Sequence, residues 1–338
     1  MSPERKRIIL RSVLFLTAAL AALLLGITGI DRLLNKEFSE TRSEGTREFM
    51  QAGETEADGK KYRKTPAVTT LLLAGIDRSA DAYQGVSTSR YRSGGQADFL
   101  LLLAIDHTNK CIHQLQIDRD TMTDVTVLSV YGRETGSRVM QICLSHNYGA
   151  NSTDNARYTL RAVKNLMGDI ELDSYCMVDY SAVAAFNDLL GGVRVTIPDD
   201  MTSVNPAWTR GSAVTLSGGE AETFVRARKT IGEGTNEERM RRQSEFMQKA
   251  AAQLRENLSS NPEFGAKLLK TLRKNAVTNL SDQQWLEEMQ RSGGYEILPV
   301  EYLDGEYKVG ESGYMEFYAE ENSASSWIRR HLYTPEQP

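Results

Sequence analysis

Two continuous apolar runs, AVTTLLLAGI (67–76) and ADFLLLLAI (97–105), constrain the fold of this chain most. Both are short and bounded by turn-prone residues, the pattern of central strands buried on both faces. CIHQLQI (111–117) alternates instead, so it is expected to pair beside them and bury every second residue. Between the first two runs lies DRSADAYQGVSTSRYRSGGQ (77–96), a polar connection of a length that compact domains keep for function or mobility. Spacing at Leu160, Val163 and Met167 predicts a helix over 155–168 stopped by Gly168, followed by a strand at 174–180. A short helix over 181–192 and a strand over 193–198 come next. Further helices are expected over 219–230, about 236–257, about 262–275 and 281–291, then a strand over 295–300 and a polar, aromatic tail. Strands alternating with helices across 67–335 predict a single three-layer α/β/α domain with a central mixed sheet.

The N-terminus sets the expected topology. SVLFLTAALAALLLGITGI (12–30) carries no charge, and as a helix it is about 28 Å long, close to the hydrocarbon thickness of a bilayer. Arg5, Lys6, Arg7 and Arg11 precede it within a basic tail, 1–11. A cleaved signal peptide would have a shorter apolar region and a small-x-small site, whereas Asp31-Arg32-Leu33-Leu34 follows here. An uncleaved transmembrane signal anchor is therefore expected, with the N-terminus cytoplasmic and everything after residue 30 outside. The polar segment 31–66 reads as a stalk ended by Pro66.

Composition excludes several classes. A net charge of -5 argues against nucleic acid as partner. Cys111, Cys143 and Cys176 are too few and scattered for a disulfide framework or a cysteine-rich zinc site, and the four histidines lack the spacing of a zinc enzyme.

Against that acidic background, VRARKTIGEGTNEERMRRQ (225–243) concentrates five arginines and a lysine. It reads as two helices joined by the GEGTN turn, with Asn236 as N-cap and Glu237 and Glu238 in the first turn. Arg226 and Arg228 end the first helix, and Arg239, Arg242 and Gln243 share a face of the second. Met240, Met247, Ala251 and Leu254 form a separate apolar stripe, and Arg241 points away. Such a group is either a salt-bridged surface, with Glu233, Glu237 and Glu238 as partners, or a site for an anion such as pyrophosphate, which several guanidinium forks hold together. Asp77 ends one apolar strand, Asp98 begins the next, and IDRDT (117–121) sets Asp118, Arg119 and Asp120 at the end of the third. Open α/β sheets place ligands at such ends. These acids either bond turn amides or hold a divalent metal that bridges to phosphate.

LLLAGID, GGQADFLLLLAID, LQIDRDTM, DLLGGVRVTIP, and FVRARK with ERMRRQ, taken in order over about residues 68–255, resemble the LytR-CpsA-Psr family. The resemblance implies a membrane-anchored enzyme on the outer face of the cytoplasmic membrane. It would move a glycopolymer, such as teichoic acid or capsule, from a polyprenyl-pyrophosphate carrier to peptidoglycan, leaving a phosphodiester link. It implies Mg2+ on Asp77 and Asp98, and pyrophosphate held by Arg119, Arg226, Arg228, Arg239 and Gln243 with Arg242 in support. Asp77, Asp98, Arg119 and Asp120 then form the catalytic set, with Asp77 or Asp120 taking a proton. The sequence departs from the family at Gln96, where arginine is common and Arg90 or Arg92 would substitute, at Asp118 for proline, and at Asn236 for an acid. Two rival readings are a non-catalytic surface protein that binds lipid-linked precursors, and a hydrolase in which water replaces the sugar hydroxyl.

Overall fold

The computed structural model describes residues 55–57, 60–78, 94–129, 131–168, 170–227, 231 and, with scattered gaps, 242–335. The expected anchor 12–30 lies outside the described residues, and among those described no helix is long and apolar enough to cross a membrane. Where the sequence predicts one domain, the described residues fall into two compact units. The first takes in those up to Asp179 with Ala276–Leu280 and those from Glu301 onward, the second Tyr180–Asn275 and Ser281–Val300.

The first unit opens with β1 (Thr55–Ala57), β2 (Lys60–Lys64), β3 (Val68–Asp77), β4 (Gln96–Asp106), β5 (Cys111–Ile117), β6 (Met122–Leu128) and β7 (Glu134–Gln141). A 3-10 segment, Ile142–Asn147, then leads to α1 (Ser152–Met167) and β8 (Ser174–Asp179). The second unit holds α2 (Ser181–Leu189), β9 (Val193–Thr196), β10 (Ala213–Leu216), α3 (Gly218–Arg226) and α4 (Phe264–Asn275). β11 (Ala276–Thr278) returns to the first unit, α5 (Asp282–Ser292) belongs to the second, and β12 (Glu296–Tyr302) ends in the first. The chain closes with β13 (Gly305–Val309), β14 (Met315–Ala319), α6 (Glu321–His331) and β15 (Tyr333–Pro335).

The central sheet is mixed, in the order β11-β8-β3-β4-β5-β12. β3 runs parallel to β8 and antiparallel to β4, and β4 runs antiparallel to β5. Leu71–Ala74 and Leu100–Ile105 are all buried, as continuous apolar strands require. β5 departs from simple alternation, because Gln114 is as buried as its neighbour Leu115. α1 begins at Ser152, before the expected 155, because the Asn151 side chain caps it by accepting from the Asp154 N–H at 2.9 Å. It stops where expected, at Gly168 in the left-handed region. Ala156, Ala162, Val163 and Met167 of α1 and Trp327 and Ile328 of α6 join one core with Leu72, Leu100 and Leu102.

In the second unit, α3 ends at Arg226, short of the expected 230, and Ala227 is already extended. The described residues from 242 to 257 are helical. Their buried stripe is Arg242, Phe246, Ala250 and Leu254, so an arginine stands on the apolar face.

Candidate active site

β3, β5 and β8 all finish at one end of the sheet, where β4 begins. The first unit therefore gathers Asp77, Asp98, Asp118, Arg119, Asp120 and Asp179 at the end where open α/β sheets place their ligands. Register decides which of them meet. Gly75 pairs with Phe99 but Ile76 with Ala97, so Asp98 is the extra residue of a bulge, a device that re-aims a side chain. Ile117 pairs with Leu100, and the same register carried two residues further brings Arg119 opposite Asp98. Arg119 Nη1 donates to Asp98 Oδ1 at 2.6 Å, while Nη2 donates to Gln96 Oε1 at 2.8 Å and to Cys143 Sγ at 3.4 Å. Nε stands 3.5 Å from Asp120 Oδ1, which also accepts from Gln141 Nε2 at 3.0 Å.

Two glycines deliver the chain to this position. Gly95 adopts φ +86°, and a Cβ on Gly94 would come within 2.3 Å of the His146 carbonyl oxygen. Gln96, next in sequence, then pairs with Asp77. The turn that carries Arg119 is fastened from several sides. Asp118 Oδ1 accepts from the Asp120 N–H at 2.8 Å, and the Asp118 carbonyl accepts from the Thr121 hydroxyl at 2.7 Å. Asp118 thus fixes through its side chain a turn that proline would fix through its ring. Tyr307 of β13 donates to Asp118 Oδ2, and the Phe317 N–H of β14 donates to the Asp120 carbonyl at 2.8 Å.

The Asp98 side chain is 5% exposed and that of Arg119 is 26% exposed. Burial works against the Arg119 charge, but the carboxylates of Asp98 and Asp120 and the hydrogen bond to Cys143 more than reverse it, so its pKa lies above the usual guanidinium range. Burial pushes the Cys143 thiol up to about 12, which makes it a neutral acceptor at pH 7 and rules it out as a nucleophile.

The second unit holds two of the other predicted residues. Arg226 is the last residue of α3, and its Nη1 donates at 2.6 Å to Glu222 Oε1 one turn back. Arg242, expected to support the pyrophosphate site, is fully buried; its Nη1 donates to Asp199 Oδ2 at 3.2 Å and its Nη2 to the Ala227 carbonyl. Its place on the buried stripe turns it inward, where it fastens the chain just beyond Arg226. Arg228, Arg239, Gln243, Arg90, Arg92 and Asn236 lie outside the described residues. Sequence reasoning did not find Gln141, Cys143 or the ion pair of Arg78 Nε with Asp179 Oδ2 at 3.0 Å. Gln141 and Cys143 sit in QICLSHN, where no spacing marks them.

The donor chemistry of Asp77 and Asp98 suits Mg2+, since both offer hard carboxylate oxygens at neighbouring strand ends and Arg119 hydrogen-bonds Oδ1 of Asp98. Among the described residues, the groups of three donors close enough to share one ion lie elsewhere, around His113.

A model of the LytR_cpsA_psr family matches residues 33–327. The chain belongs to that family. The match extends beyond the motifs at 68–255 and takes in β13, β14 and most of α6. A LytR_cpsA_psr relative, the polyisoprenyl-teichoic acid–peptidoglycan teichoic acid transferase TagU of Halalkalibacterium halodurans, is 26% identical over 236 residues, 69% of this chain and 68% of the relative. The crystal structure of B. subtilis TagV superposes with a TM-score of 0.56 at 23% identity, over 80% of this chain and 100% of that one. The structure of gbs0355 from Streptococcus agalactiae gives 0.57 at 18% identity, over 78% and 86%. These two share the mixed α/β fold.

Proposed function

We propose that this chain is a phosphotransferase that moves a glycopolymer from a polyprenyl-pyrophosphate carrier onto peptidoglycan through a phosphodiester link. Membership of the LytR_cpsA_psr family and the name of its TagU relative support this reading. The observation that carries it is Arg119, a mostly buried guanidinium aimed by Asp98, Gln96 and Cys143 at the ligand-binding end of a sheet. A pyrophosphate repels an incoming hydroxyl until its charge is offset, and a fixed guanidinium offsets it without reorganising. The acceptor oxygen bonds to the sugar-proximal phosphorus, the bond from that phosphorus to the bridging oxygen breaks, and polyprenyl phosphate leaves. The hydroxyl proton passes to Asp77 or Asp120. Mg2+ on Asp77 and Asp98 would supply further charge neutralisation. By family resemblance Arg226, Arg228, Arg239 and Gln243 also hold phosphate oxygens, and residues 12–30 anchor the chain with its later residues outside.

A second reading, binding of lipid-linked precursors without turnover, rests on Gln96, a neutral side chain where the family commonly has arginine. One experiment separates the readings: release of polyprenyl phosphate from a lipid-linked pyrophosphate substrate, with and without Mg2+ and with and without peptidoglycan. Transfer predicts release that needs both, and a loss of more than about tenfold in Arg119→Ala and in Arg226→Ala with circular dichroism unchanged. Unchanged turnover in both variants sinks the assignment. Binding without release favours the second reading, and release without acceptor indicates a hydrolase.

A further inference from the structure

A second cluster of chemistry-bearing side chains lies in the first unit, toward the opposite end of β5 from Arg119. It joins three elements remote in sequence: His113 of β5, Glu301 of β12 and His331, the last residue of α6. One donor atom from each lies within 4.8 Å of the other two. The two imidazole rings are 4.1 Å apart between centroids and tilted by 31°. His331 Nε2 faces Glu301 Oε1 at 2.8 Å, while its Nδ1 is buried without a hydrogen bond. A buried polar atom left in this way is costly and calls for a partner.

We propose that His113, Glu301 and His331 form a binding site for a divalent metal ion of the Zn2+ class, which ties α6 to the central sheet. Two imidazole nitrogens and a carboxylate oxygen are a donor set that suits zinc and differs in kind from the all-oxygen pair Asp77 and Asp98. A neutral imidazole offers a metal ion the lone pair of one ring nitrogen. Glu301 Oε2 accepts from Arg330 Nη2 at 2.6 Å, the kind of outer hydrogen bond that orients a ligating carboxylate. Bonds of about 2.0 Å in a tetrahedral arrangement set donor atoms about 3.3 Å apart. His331 and Glu301 would part by a fraction of an ångström, and the stacked rings would turn to bring both lone pairs onto one ion. Cys111 Sγ, 3.5 Å from His113 Nε2, belongs to a separate group with Asp106 and His113. The competing account is a purely structural imidazole pair beside a carboxylate.

Titration of the full chain, without an affinity tag, stripped with a chelator and held in detergent, separates these accounts. Zn2+ is added in competition with a chromophoric chelator, and melting is followed in parallel. The site predicts about one zinc ion per chain and a raised Tm. It also predicts binding at least about tenfold weaker in His113→Ala and in His331→Ala. Glu301→Gln, which keeps size and removes charge, should weaken zinc in the same direction and serves if a histidine variant does not fold. His107→Ala, outside the cluster, should bind as the parent does. No zinc bound by the parent, equal affinity in the three cluster variants, or an equal loss in His107→Ala would overturn the site.

Discussion

Arg119 matters for how it is held as much as for its charge. A guanidinium with a nearly buried carboxylate 2.6 Å away is an ion pair taken partly out of water, and removing one member leaves the other uncompensated. Asp98→Leu should therefore cost on the order of 2 to 3 kcal/mol in urea unfolding, toward the low end because Arg119 retains some access to solvent. Arg119→Met should also destabilise. The double variant should be less damaged than the two single losses added together, by at least about 1 kcal/mol, because neither member of the pair is left facing the other's empty place. Strictly additive losses would show that the pair is not coupled. Sequence reasoning finds each of these residues at a strand end but not their partnership. That depends on the bulge at Asp98 and on a register that hydrophobic pattern alone does not encode.

At the scale of elements, the hairpin of β13 and β14 holds the turn that carries Arg119. It receives Gln141 Nε2 on the Met315 carbonyl at 2.6 Å, and it reaches the turn through Phe317 to Asp120 and Tyr307 to Asp118. Its ends are already adjacent, since the Glu320 N–H donates to the Asp304 carbonyl at 2.8 Å. Replacing 305–319 by a two-glycine linker should leave the sheet and α6 folded, with Tm lower by a few degrees, yet reduce polyprenyl phosphate release at least about tenfold by loosening Arg119. Release within twofold of the parent would show that the turn holds itself. Elements whose burial leaves a period are legible in the sequence. β3, β4 and α1 are buried against one core and appear at nearly their observed bounds. β13 is exposed along its whole length, so there is no buried face for a period to report. α6 does carry a helical stripe, Ala324, Trp327, Ile328 and Leu332, but within so polar a tail that it passes for irregular chain. Arg242 misleads in the opposite way, because a charge on a helix is taken to face solvent or ligand and this one faces inward to Asp199.

For the molecule as a whole, acid is the informative perturbation. With a net charge of -5 at pH 7, mild acidification first reduces self-repulsion, so any stability lost between pH 7 and 5 must come from particular sites. His146 is one such site. Its Nδ1 lies 3.0 Å from Thr159 Oγ1, and that hydroxyl donates its own proton to the Asn155 carbonyl at 3.1 Å. Thr159 can only accept from the imidazole, so Nδ1 carries a proton. Burial, aided by the positive charge of Arg78, lowers its pKa to about 3. As pH falls below the ordinary histidine value of about 6.5, the unfolded chain takes up a proton that the folded chain refuses. Stability is therefore complete above that value and is lost progressively as pH falls toward 3. From pH 7 to 5 this one group should cost about 2 kcal/mol. His113 and His331, also held below the usual range by burial, act in the same direction in the metal-free chain. His146→Asn keeps a donor for Thr159 and does not titrate, so urea unfolding should show a flatter dependence between pH 7 and 5 than the parent, by about 2 kcal/mol over the interval. Parallel curves for parent and variant would mean that the imidazole is protonated within the fold, and with it the neutral packing of the 3-10 segment against α1 would fail.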